Sequence, residues 1–250
     1  MCAPLRRPLG TILPAGVLAI SALLAGPAAA TEFSVTPIRV ELKPGVMSET
    51  IAITNHAPTR LRVSIKLMEW TQDASGQDIQ KESSELIWFP RQMEVEPNGK
   101  RLVRVGAKAP AATVEKSYRL WVEEEPPGEA TPGRAQVAFY FRFGVPVFVQ
   151  PAGGRPEPEV PDPTLGAGKV SVVVRNKGNQ HFRLNRVAVR NEAGQETEVG
   201  GWYSLPGTER TYTVDVPREA CLQSKVLDVA LEGEGFRIDR KLHVDPASCR

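Results

Sequence analysis

The sequence predicts an all-β fold: two immunoglobulin-like β-sandwich domains joined by a proline-rich hinge. Three observations carry that expectation. First, apolar residues recur with period two. Leu61, Val63, Ile65 and Leu67 alternate with Arg62, Ser64, Lys66 and Met68, and Tyr118, Leu120 and Val122 alternate with Arg119 and Trp121. A half-buried strand needs this pattern, because successive side chains leave opposite faces. Second, turn signals recur between such runs: Lys43-Pro44-Gly45, Pro97-Asn98-Gly99, Pro126-Pro127-Gly128, then Gly194, Gly200-Gly201 and Pro206-Gly207. Third, residues 151–163 hold five prolines in a polar setting, which reads as a stiff joint rather than a core strand. No segment shows a helical stripe.

Taken in order, residues 1–30 read as a signal peptide. Arg6 and Arg7 give a basic start, Leu13 to Ala25 a short apolar run, and Ala28-Ala29-Ala30 the small residues before a cleavage expected at Thr31. The run is too short to span about 30 Å of hydrocarbon, so no membrane anchor is expected and the mature protein is expected to be soluble and exported. The 31 basic and 29 acidic residues of the whole chain become 29 of each without the leader. A neutral protein has no general field for nucleic acid or anionic lipid.

The first domain is expected over 31–150, the hinge over 151–164 and the second domain over 165–250. First-domain strands are expected at 47–55, 61–68, 86–95, 100–107 and 118–122. In the leading segment, Phe33 and Val35 share one parity and Ile38, Val40 and Leu42 the other. The change falls at Pro37, which cannot donate to a ladder, so this strand is expected to kink and change neighbours midway. Second-domain strands are expected at 168–175, 182–190, 210–216, 224–231 and 235–244. Cys221 and Cys249 remain once Cys2 leaves with the leader, and in an oxidising compartment they are expected to form a disulfide.

The segment Ala135 to Val149 (AQVAFYFRFGVPVFV) departs from the pattern. Val137, Phe139, Phe141, Phe143, Val145, Val147 and Val149 share one parity, yet the other parity is also largely apolar. A sandwich strand should have a polar outer face. Pro146 argues that part of this strand lies at an edge, and an apolar edge that is kept invites another chain. The alternative is that other strands and the second domain bury both faces.

These features, in this order, resemble the periplasmic pilus-assembly chaperones of the chaperone–usher pathway. SVTPIRVEL (34–42) is similar to the family's first strand, VEPNGKRLVRV (95–105) to a proline-glycine turn and the strand after it, KSYRLWVEEEPP (116–127) to its sixth strand, and FRFGVPVFVQP (141–151) to its seventh strand and hinge. VRNKGNQHFRL (174–184) is a weaker match. The resemblance implies two partners: pilin-like subunits with an incomplete immunoglobulin-like fold, and an outer-membrane usher. It implies that Val137, Phe139 and Phe141 fill the groove of such a subunit, and that Arg39 with a second cation anchors the subunit's terminal carboxylate. A guanidinium suits that task because its fork donates two parallel N–H bonds to a carboxylate. The family's strand-seven lysine falls here on Pro146, which points to a divergent, archaic or alternative branch and leaves Arg142 and Arg119 as candidates for the second cation. The exposed strand also raises a self-capping dimer.

Nothing points to catalysis. His56, His181 and His243 are scattered, with His181 beside a turn, and no nucleophile elbow, phosphate loop or metal-ligand spacing occurs. No cofactor and no metal is expected. Glu123-Glu124-Glu125 reads as a solvated strand end. The competing reading of the whole chain is a secreted immunoglobulin-like binding or adhesion module with no client.

Overall fold

The computed structural model describes residues 33–111, 113–126 and 140–249. The leader therefore lies outside the described residues, as do Val137 and Phe139. The strands in chain order are β1 (Phe33–Thr36), β2 (Val40–Leu42), β3 (Ser48–Asn55), β4 (Leu61–Gln72), β5 (Asp78–Glu82), β6 (Leu86–Phe89), β7 (Gln92–Val95), β8 (Lys100–Ala107), β9 (Lys116–Glu124) and β10 (Arg142–Val149). They form two sheets, β1-β3-β8-β6 and β2-β10-β9-β4-β5, with β7 also on β4. Their inner faces enclose one core, in which Ile51, Ile53, Val63, Val103, Leu120 and Val147 are fully buried.

The leading segment divides at Pro37 as its parity requires. β1 pairs antiparallel with β3, and after the switch β2 pairs in parallel with β10, Val40 opposite Val147. Val40 and Leu42 are buried, but Ile38 is 78% exposed. Ile38 falls in the crossing between sheets, where strand parity no longer sets direction. Pro90 does the same to the strand expected over 86–95. β6 joins β8 in one sheet and β7 joins β4 in the other, because a proline at the junction has no N–H to carry a ladder through.

The second sandwich contains β11 (Pro158–Glu159), β12 (Thr164–Gly166), β13 (Lys169–Asn176), β14 (Phe182–Arg190), β15 (Glu196–Gly200), β16 (Tyr203–Ser204), β17 (Glu209–Asp215), β18 (Val226–Gly233) and β19 (Phe236–His243). β13 holds β11, β12 and β17 in one sheet, and the other runs β15-β14-β18-β19 with β16 on β14. Within the segment expected as linker, Pro158 and Glu159 already pair with Asn176 and Arg175. A five-residue helix, α1 (Arg218–Leu222), and a 3-10 turn at Pro246–Cys249 are joined by the Cys221–Cys249 disulfide. Both cysteines are buried in the second core.

A third apolar cluster lies between the sandwiches. Trp70 of β4 and Phe148 of β10 meet Tyr203 and Leu205. Phe148 is fully buried, 5.9 Å from Trp70 and 5.7 Å from Tyr203 between ring centroids, and its ring stacks on His181 at 3.5 Å. His181 is thus no turn-side solvent residue. Its Nδ1 lies 2.7 Å from the buried carboxylate of Glu115, which also accepts the His181 backbone N–H. Gln72 ties the same boundary, donating to the Tyr203 carbonyl and accepting from Leu205 N. This cluster explains the doubly apolar strand: over Val145–Val149 one face is the first core and the other is the domain boundary.

Two outcomes follow. Phe148→Ala removes the central ring and should cost about 3–5 kcal/mol, turning one urea transition followed by tryptophan fluorescence into two. Cys221→Ser opens a loop of 28 residues in separation and should cost about 3–4 kcal/mol on chain-entropy grounds. It should lower the urea midpoint of the second domain, and reductant should do the same to the unaltered protein.

Candidate functional site

β10 is covered along its length on one side only. β9 pairs with it from Arg142 to Val149, whereas β2 reaches only Val147, Phe148 and Val149. The other edge of Arg142 to Pro146 is unpaired among the described residues. The open end is apolar: Phe141 and Phe143 are each 37% exposed, and Phe143 stands edge-on to Phe33 at 4.9 Å. The chain stays extended just before β10, where Phe141 accepts a bond from Glu124 N at its carbonyl and donates its own N–H to the Glu124 carboxylate. The three glutamates at the end of β9 are therefore engaged in different directions. Glu123 holds Lys66 and Arg142, and Glu125 holds Gln92.

Arg39 follows the Pro37 switch and lies in a crevice of about 520 Å³ between the two sandwiches, lined also by Lys43, Glu49, Arg183, Tyr203 and Glu234. Its Nε meets Glu41 at 3.0 Å and its NH1 meets Glu234 at 2.6 Å. Partial burial works against its charge. The bonds to Glu234 and Tyr203 and the attraction of Glu234 and Glu41 outweigh that and raise its pKa above the ordinary value. Glu41 is in turn held by Gln150, just beyond β10. Arg39 is therefore a fixed cation at the inner end of the open edge, where the β2–β10 pairing begins.

The other two candidate cations are placed elsewhere. Neither lines the Arg39 crevice. Arg119, on the face of β9 turned toward the second sandwich, is buried. Its guanidinium lies 3.9 Å from the Trp70 ring centre and 5.6 Å from that of Trp202, with Asp78 at 3.8 Å. Burial lowers its pKa, against the pull of Asp78. Gly144 makes room for this stack: a β-carbon there would meet the Trp121 ring at 2.6 Å and Arg119 Cδ at 3.1 Å. Arg142 lies on the face opposite the phenylalanines, stacked 3.7 Å over Trp121 and paired with Glu123 at 2.8 Å. Cys221 and Cys249 are structural, bridged within the second core. Sequence reasoning missed Arg183, Tyr203 and Glu234. The last alone had a local signal, as the single acidic residue between Gly233 and Gly235 at a hairpin tip.

No curated protein matches the chain. Among solved structures, the chaperone–tip adhesion subunit complex of the archaic Csu pili of Acinetobacter baumannii matches with a TM-score of 0.61 at 18% identity, over 84% of this chain and 98% of that one. The Pseudomonas aeruginosa CupB2 chaperone matches at 0.54 and 19%, over 85% and 100%. The Salmonella enterica SafA pilin–SafB chaperone complex matches at 0.56 and 13%, over 85% and 97%. These likenesses show the two-domain β-sandwich fold. Residues 32–155 match the model for pili and flagellar-assembly chaperones, PapD N-terminal domain, and it is to this family of pilus-assembly chaperones that the chain belongs.

Proposed function

We propose that the protein is a periplasmic chaperone that caps pilin-like subunits by donor-strand complementation and delivers them to an outer-membrane usher. The observation that carries this reading is the half-covered β10: an apolar edge, unpaired among the described residues from Arg142 to Pro146, that leads into a crevice holding Arg39. A subunit whose sandwich lacks a strand would pair along this edge, the established mode of β-augmentation between chaperone and pilin. Val137, Phe139 and Phe141 would enter its open groove, each buried side chain contributing roughly 1.5–3 kcal/mol. Arg39 would hold the subunit's terminal carboxylate and so fix the register, which matters because a slip of one residue reverses every side chain. The Acinetobacter and Salmonella structures pair a chaperone with a pilus subunit, and that partner class is carried over here.

Arg119 and Arg142 fit other tasks. Arg119 is a strut between the sandwiches, stacked on tryptophan and held beside Asp78, and Arg142 braces the outer face of β10. Without a client the open edge would be free to pair with a second copy.

Co-expression with a small, otherwise insoluble β protein encoded nearby tests the reading. Arg39→Ala should abolish recovery of soluble client while circular dichroism and the urea midpoint stay unchanged; recovery at the unaltered yield removes Arg39 from the anchor. Phe141→Glu should lower client yield at least tenfold in a folded protein, and an unfolded product would place Phe141 in the chaperone's own core. Arg119→Met keeps the shape without the charge, and Asp78 retains Gln72, Trp202 and Arg210 as partners. It should leave client yield unchanged, whereas loss of yield at normal stability would make Arg119 the second anchor.

A further inference from the structure

The Arg39 crevice already contains a carboxylate supplied by the second domain. Glu234 occupies the turn between β18 and β19, flanked by Gly233 and Gly235, with 42% of its side chain exposed. Its backbone N–H donates to the Arg183 carbonyl at 2.9 Å, so the turn is held through its backbone and not through the partly exposed side chain. Its carboxylate takes Arg39 NH1 and leaves Nε to Glu41. Arg183 lines the same crevice, with its guanidinium 5.4 Å from the Tyr203 ring centre, and it makes no ion pair among the described residues. Arg39 and Arg183 thus flank one buried aromatic ring, one committed to carboxylates and the other free.

Charge balance gives this arrangement a direction. The crevice is lined by three cations, Arg39, Lys43 and Arg183, and three carboxylates, Glu41, Glu49 and Glu234. It is neutral as it stands. If the Glu234 side chain swings into solvent, one positive charge is left uncompensated, which one entering carboxylate would neutralise. Glu41 need not move, since it holds Nε from the same segment and is itself held by Gln150.

Resting on the strand-addition reading above, we propose that Arg39 and Arg183 form a two-cation receptor for the terminal carboxylate of the added strand, and that Glu234 fills it in the free protein as an intramolecular stand-in. Binding is then an exchange of one carboxylate for another on the same guanidinium. The exchange keeps Arg39 paired in both states and weakens the net hold on the client, which suits a carrier that must later let go. Arg183 brings the second domain into recognition.

Calorimetric titration tests this with a lysine-tailed peptide of alternating valine and threonine, made once as the free acid and once as the amide. The unaltered protein should prefer the acid about tenfold, the scale of one charge-assisted contact. Glu234→Gln should tighten the acid about three- to tenfold and leave the amide unchanged. Arg183→Gln should bring the acid preference down to about twofold, with an unchanged melting temperature. Equal tightening of both peptides by Glu234→Gln, or an acid preference untouched by Arg183→Gln, overturns the proposal. Equal binding of acid and amide to the unaltered protein also overturns it, while leaving edge pairing intact. Failure of both peptides to bind overturns it together with the strand-addition reading.

Discussion

The burial of Phe148 between the two sandwiches is the contact on which the rest of the arrangement depends. Its ring is closed in by Trp70, Tyr203 and His181, and each of these comes from a different part of the chain. That wedge, together with the Gln72 bonds to Tyr203 and Leu205, sets Tyr203 and the β18–β19 turn opposite Arg39 and so gives the crevice its second wall. The polar bonds around the cluster are specific rather than strong. Glu115 leaves one carboxylate oxygen buried without a partner, a cost that holds only while the His181 side is in register. Packing supplies the adhesion and the buried polar pair supplies the alignment.

The same wedge explains why β10 serves two purposes without conflict. Near its carboxyl end every residue is inside, pinned by β2, β9 and the second domain. Toward its amino end it keeps its phenylalanines only half covered. Covered and open stretches meet at Pro146, where the missing N–H costs nothing because, among the described residues, no strand pairs on that side. A rigid base and an available edge are thereby built into one strand of eight residues.

Much of this was legible in the residues. Alternation at Leu61–Leu67 and Tyr118–Val122 gave the strands, the parity change at Pro37 gave the sheet switch, and the double apolar parity of Val145–Val149 marked the special strand. What stayed hidden is tertiary in origin. β5 is polar because it is an edge strand, so no apolar period announces it. Arg119 has the parity of a solvent-facing residue, and Trp70 together with Trp202 from far along the chain covers it. His181 looks like a turn residue until Phe148 covers its ring. Arg183 and Glu234 stand well over a hundred residues from Arg39, so no local pattern could have joined them.

The crossing at Pro37 has a consequence for how such a chain can diverge. Only Pro37, Ile38 and Arg39 separate the last residue of β1 from the first of β2, and both strands are locked to partners in different sheets. Substitutions here are tolerable where side chains face water, as at Ile38. A gain or loss of one residue is not, since it would keep both ladders yet swing the guanidinium out of its crevice. Descendants of this protein are therefore free to drift in letter at the crossing and bound to conserve its length.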